Sequence, residues 1–280
     1  EMFEPLLFKV IRVENPSTYR LPEGVTEENL TQYYLEQLEA TLAAHHEQVA
    51  AMIVEPLVQG AAGLVMQPAG YLRGVRDLTR KYGVLLIADE VAVGFGRTGT
   101  MFACDQEEIS PDILCLGKGI TGGYLAMSAT VATTEIWNAF LGAGKKTFYH
   151  GHTYAGNPLA AAAALASLNI FEEENTLNNV AKQSQLLSAL LADQVAEHPL
   201  VGDIRQRGLI AAIELVADKE DKTPLDPSLA TGTKVCLAAR EKGVWLRPLR
   251  DTLVIMPPLS ISGEQVTQIV NALEYGLKQL

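Results

Sequence analysis

The chain has 280 residues, 48% hydrophobic and 20% charged, which excludes a disordered segment and leaves enough apolar mass for a sizeable core. Its formal net charge of −11 argues against a nucleic-acid surface, which needs a basic patch to meet phosphate. No apolar run reaches the roughly 18 residues of a membrane span, and the opening EMFEPLLFKVIRVENP lacks the basic and apolar regions of a signal peptide, so the expected location is cytoplasmic.

Residues 1–30 read as irregular, because Pro5, Pro16, Pro22 and Gly24 interrupt any long element. From Thr31 to His46, the spacing of Tyr34, Leu35, Leu38 and Leu42 predicts an amphipathic helix. VAAMIVEP (49–56) is a short apolar run ended by proline and reads as a buried strand. GYLRGVRDLTRKYG (70–83) reads as a helix, and VLLIADE (84–90), DILCLGK (112–118) and AMSATVAT (126–133) as further buried strands. Strands alternating with helices imply parallel βαβ units and an α/β sheet.

Beyond His152 the character changes. Asn157 and Pro158 form a helix start, with asparagine as cap and proline at the first position. An alanine-rich helix follows to about Phe171, then a second over 178–198. VGDIRQRGLIAAIELV reads as an antiparallel pair turning at Arg207-Gly208, and after it come a helix at 228–242, strands near VWLRP and TLVIMPP, and a last helix from Ser262. This half is α+β. The expected organisation is a partial large cofactor-binding region over 1–165 and a smaller C-terminal domain over 166–280.

Two elements carry candidate chemistry. Lys118 lies between Gly117 and Gly119 at the end of an apolar run. A phosphate loop of the GxxxxGK[ST] type is excluded, since Asp112 stands where its first glycine belongs and Gly119 follows the lysine. The remaining reading is a desolvated amine able to attack a carbonyl. The second element is LLIADEVAVGFGRTG, where Asp89 and Glu90 end a strand, the place at which α/β sheets hold ligands. Either one of these acids pairs with Arg97 and only steadies the loop, or Asp89 stays ionised to keep a pyridine nitrogen protonated. Met52, Met127 and Met256 sit in apolar strands and read as core. His45, His46 and His198 lack metal-ligand spacing, and the three cysteines, Cys104, Cys115 and Cys236, match neither a metal clip nor a disulfide framework.

Taken together, Asp89-Glu90-Val91, GFGRTG, PDILCLGKGITGG and HGHTYAGNPLA resemble the class III (ω-amino-acid type) aminotransferases of fold type I, from about Val49 to the C-terminus. The resemblance implies a mostly parallel sheet with helices on both faces, and pyridoxal 5'-phosphate as cofactor. It makes Lys118 the covalent anchor of that cofactor and Asp89 the partner of its ring nitrogen, with Val91 packed on the ring face. Thr153 would reach the cofactor phosphate of a neighbouring subunit, which implies a homodimer with shared sites; His152, flanking Gly151, is a candidate for touching the cofactor region.

Three positions narrow the substrate. Many members carry Gln in DEVQTG, Glu in QGEAG and Arg before the last PP; here Ala92, Ala61 and Val254 stand there. With VWLRP and IMPP, this is similar to the branch of the class that passes an amino group from S-adenosylmethionine to 8-amino-7-oxononanoate in biotin synthesis. By that resemblance Arg247 holds the distant substrate carboxylate, a role suited to guanidinium, and Gly151 lends backbone to the substrate. The chain matches a C-terminal portion of the family, without the upstream glycine–serine pair that cradles phosphate or the aromatic that stacks on the ring. The expectation is therefore an enzyme completed by an N-terminal segment. The alternatives are another class III enzyme acting on long-chain amines, and a catalytically incomplete piece that keeps only dimerisation.

Overall fold

A computed structural model describes residue 6 and residues 9–142, 144 and 146–280; Pro5 and the start of the expected irregular stretch lie outside the described residues. Residues 9–29 carry no helix or strand, as their prolines require. Helix α1 (Leu30–His45) buries Leu30, Tyr34, Leu38 and Leu42, one residue per turn along one stripe. Helix α2 (Tyr71–Lys81) lies beside it and buries Tyr71, Leu72 and Val75.

Strands β1 (Ala51–Val54), β4 (Leu85–Asp89) and β5 (Ile113–Leu116) run parallel in that spatial order, while β2 (Val58–Gln59) and β3 (Val65–Met66) form a separate short ribbon. Strand β6 (Ala129–Ala132) pairs with β5 antiparallel within the mostly parallel sheet expected, and three of its four residues are exposed, so it is not the buried strand its apolar run predicts. The connection from β5 holds only a short 3₁₀ turn at Lys118–Thr121, too little helix for a parallel crossover. Leu86 and Ala88 point into a core shared with α1 and α2. On the opposite face Ile53 is 63% exposed and Leu85 38% exposed. The buried strand expected at VAAMIVEP therefore buries only Val54 of its four residues, since β1 is at the sheet edge.

The short helix α3 (Thr134–Ala139) precedes α4 (Pro158–Glu173), whose cap Asn157 accepts the Leu159 N–H at 3.0 Å. Helix α5 (Thr176–Gln194) then leads to a four-stranded antiparallel sheet ordered β7-β8-β10-β9, with β7 (Val201–Arg207), β8 (Ile210–Leu215), β9 (Arg247–Leu249) and β10 (Thr252–Ile255). Helix α6 (Thr231–Glu241) and the final helix α7 (Gly263–Leu277) pack with α5 on one face, and Ser262 caps α7 in a capping box with Gln265.

Strand β8 belongs to both cores. Ala211, Ile213 and Leu215 face α5, α6 and α7, whereas Ile210 and Ala212 join the core of α1, α2 and β4. Its turn is wedged against the loop after β4: a Cβ at Gly208, whose φ is +55°, would lie 2.5 Å from the Thr98 carbonyl carbon. Of the three methionines expected in the core, Met256 is 41% exposed, because it lies just past β10 where the strand face turns outward.

Candidate active site

Parallel pairing brings the two motifs together. Asp89 and Cys115 are partners in the β4–β5 register, so the C-terminal ends of both strands open on the same edge, with Lys118 three residues beyond. Val91 follows Asp89, and its methyl groups approach Gly117, where a Cβ would meet Val91 Cγ1 at 3.3 Å. Asp89, Val91, Gly117 and Lys118 are thus one neighbourhood built from two adjacent strand ends.

Asp89 is half-buried, and its Oδ1 accepts the Val91 N–H at 3.1 Å. Among the described residues no ion pair involves it. Its negative charge, after burial, helps to push the neighbouring Cys115 thiol upward. Lys118 begins the 3₁₀ turn at φ 41°, a left-handed conformation that costs an L-residue about 1 kcal/mol. The turn is held from below, since Ile120 packs with Phe95, Leu116 and Ala164 of α4. Lys118 itself is exposed. The desolvated amine expected from its apolar flanks is not what the described residues provide. Leu116 and Ile120 on either side of it are buried, while the left-handed turn presents the lysine outward.

The alternative in which Arg97 pairs with Asp89 or Glu90 does not occur among the described residues. Arg97 instead donates to the Pro257 carbonyl at 2.5 Å, and Glu90 accepts backbone N–H groups of Ala103 and Cys104. Glu90 was legible in principle: in LLIADE it shares its strand face with Leu86 and Ala88, both fully buried.

Gly151, His152 and Thr153 lie on an exposed loop before α4, where His152 Nδ1 accepts the Tyr154 N–H at 3.1 Å; no described contact joins them to Lys118. Arg247 opens β9 opposite Val254 of β10 and is exposed, its side chain without a hydrogen bond or ion pair among the described residues. It lines an open cleft of about 560 Å³ with Trp245, Met256, Pro257 and Gln268. Through Pro257, the Arg97 hydrogen bond is the described link from the loop after Asp89 to that cleft. Among the described residues no cluster of three metal-ligating side chains occurs, and no helix is long and apolar enough to cross a membrane.

The donor set suits pyridoxal phosphate: a carboxylate free of cations for a ring N–H, a primary amine one strand away for an aldehyde carbon, and a valine against glycine between them.

The profile described as Aminotransferase class-III matches residues 1–277. The adenosylmethionine-8-amino-7-oxononanoate aminotransferase of Nitratidesulfovibrio vulgaris is 51% identical over 272 residues, covering 96% of this chain and 50% of the relative. Its namesake in Geobacter sulfurreducens is 49% identical, covering 98% and 61%. Among solved structures, the enzyme of that name from Methanocaldococcus jannaschii superposes with a TM-score of 0.90 at 41% identity, covering 99% of this chain and 62% of that one. An amine transaminase from an uncultivated Pseudomonas species, in its PLP-bound form, superposes at 0.91 with 39% identity, covering 95% and 61%. The chain therefore spans about half to three fifths of these relatives' lengths. Its mixed, largely parallel sheet and helices are the fold type I architecture of these transaminases, and the chain belongs to the class III aminotransferase family.

Proposed function

We propose that this chain carries the lysine and carboxylate of a pyridoxal-phosphate-dependent aminotransferase that moves an amino group from S-adenosylmethionine to 8-amino-7-oxononanoate, giving 7,8-diaminononanoate for biotin synthesis. The carrying observation is the pairing of β4 with β5, which sets Asp89 and Lys118 on one strand-end edge. The names of the Nitratidesulfovibrio and Geobacter relatives support the substrate pair.

When bound, pyridoxal phosphate supplies an electron sink for the carbon that loses its proton. Lys118 would hold the group through Nζ and would serve the substrate carbon as general base and acid, taking and returning its proton. Asp89 would keep the ring nitrogen protonated, and Val91 would pack against the ring. Arg247 receives the distant carboxylate of the keto substrate as a charge-assisted pair, with Gly151 offering backbone nearby. Thr153, on the exposed loop, serves the phosphate of a second copy, with His152 beside it in the cofactor region, so the working unit is a homodimer. An N-terminal segment of the kind the longer relatives carry would pack on the open face of the parallel sheet, where Ile53 and Leu85 are exposed. The assembly acts in the cytoplasm.

A second reading, a catalytically incomplete piece that keeps only its pairing surface, draws on the exposure of Lys118. One experiment separates the two. The chain is incubated with pyridoxal phosphate, reduced with borohydride and digested, and the labelled peptide is mapped by mass spectrometry. Label on Lys118, lost in Lys118→Ala, is expected. Label elsewhere, or none, overturns the catalytic reading. Amino transfer from S-adenosylmethionine to 8-amino-7-oxononanoate, followed by product mass, then decides the substrates.

A further inference from the structure

Building on the cofactor reading above, we infer that Glu90 is a positioning residue that keeps Asp89 and Lys118 aligned at the ends of β4 and β5. Glu90 has 0% of its surface exposed and no cationic partner among the described residues. Burying a carboxylate in that way is costly unless donors satisfy it. Here Oε2 accepts the Ala103 N–H at 2.7 Å and Oε1 accepts the Cys104 N–H at 2.8 Å. Burial still holds the Glu90 carboxyl above its ordinary range, and those two backbone donors pull against it.

The backbone of the same residue ties two further segments. Its N–H donates to the Cys115 carbonyl of β5 at 3.0 Å, three residues before Lys118, and its carbonyl accepts the Gly94 N–H at 2.9 Å. The loop that opens at Gly94 returns to Ala103 and Cys104, where the side chain grips it. Residue 90 is therefore the point where the end of β4, the end of β5 and the 94–104 loop meet. Strand alternation aims Asp89 to the opposite face, and Val91, next in the chain, rests on Gly117. Fixing Glu90 from behind thus fixes the direction of Asp89 and the distance between the two strand ends.

The test is amide hydrogen exchange on the whole chain, without cofactor, in Glu90→Gln and in Val75→Ala as a control from the same core. Glutamine keeps the shape but turns an NH₂ toward one of the two N–H donors. Exchange about tenfold faster is expected in Glu90→Gln at residues 103–104 and also at 90–91 and 116–118, with β10 unchanged. Acceleration confined to 103–104, or the same pattern in Val75→Ala, overturns the inference. Should Glu90→Gln fail to fold, Glu90→Asp draws the carboxylate one methylene back from the Ala103 and Cys104 N–H groups, and its exchange at 90–91 and 116–118 must still rise; no rise there is equally fatal. Pyridoxal phosphate binding should also weaken about tenfold more in Glu90→Gln than in the control. An unsubstituted chain that takes no label on Lys118 refutes the cofactor reading alone, because the exchange result decides Glu90 without cofactor.

Discussion

In the antiparallel sheet, β8 buries five of its six residues, whereas β1 of the parallel sheet buries one of four. The first sheet is closed by α5, α6 and α7 on one side and by the neighbouring core on the other. The second is closed by α1 and α2 on one face only, and its strand ends carry Asp89, Glu90 and Lys118. The difference is a division of labour: apolar burial concentrates in the C-terminal sheet, while the chemically equipped edge belongs to the sheet left partly open.

Substitutions can break that contrast. The largest effect is expected from Ile213→Ala in β8, where a fully buried side chain leaves a cavity costing about 3 kcal/mol in chemical denaturation. A loss near that of a surface site would show that the closed sheet is not the stabilising one.

Next comes Arg76, whose guanidinium binds Asp112 through two hydrogen bonds of 2.6 and 2.9 Å and so ties α2 to the start of β5. Arg76→Met should cost about 2 kcal/mol at neutral pH. The Arg76 hydrogen bonds hold the Asp112 carboxyl below its ordinary value of 3.8. A depressed carboxyl contributes stability above its unfolded value and loses it as pH falls through the folded one, so this contribution fades on acidification below about pH 4. In Arg76→Met the gap to the unsubstituted chain should narrow on that acid side; a constant gap from neutral to acid pH would exclude the pair as its source.

The smallest effect is expected at Ile53, 63% exposed on the open face, where Ile53→Thr should change stability by less than about 0.5 kcal/mol. A larger loss in the chain as it stands would mean that this face is already covered.

Much of this was legible in the residues. Short-range signals were sufficient for the longer helices: the four-residue spacing of α1, the Asn157-Pro158 start of α4 and the start of α7 at Ser262 all appear where the sequence puts them, while the six-residue α3 was not read. The Asp89 and Lys118 strand ends could be read because both runs are apolar and both end in polar residues. What stayed hidden depends on partners distant in the chain. Nothing local says that β6 returns antiparallel, that Arg97 reaches Pro257 rather than an acid, or that Met256 faces outward. The exposure of Lys118 was hidden for a different reason, since apolar flanks report the direction of the strand and not that of a left-handed turn after it.

Strand β8, with alternate side chains in two cores, has a thermodynamic consequence. Pulling it out of either core also removes its side chains from the other, so neither half has a melting transition of its own to follow. Heat or denaturant should meet a single cooperative unit, in which a defect in the C-terminal sheet lowers the stability of the strand ends that hold Asp89 and Lys118.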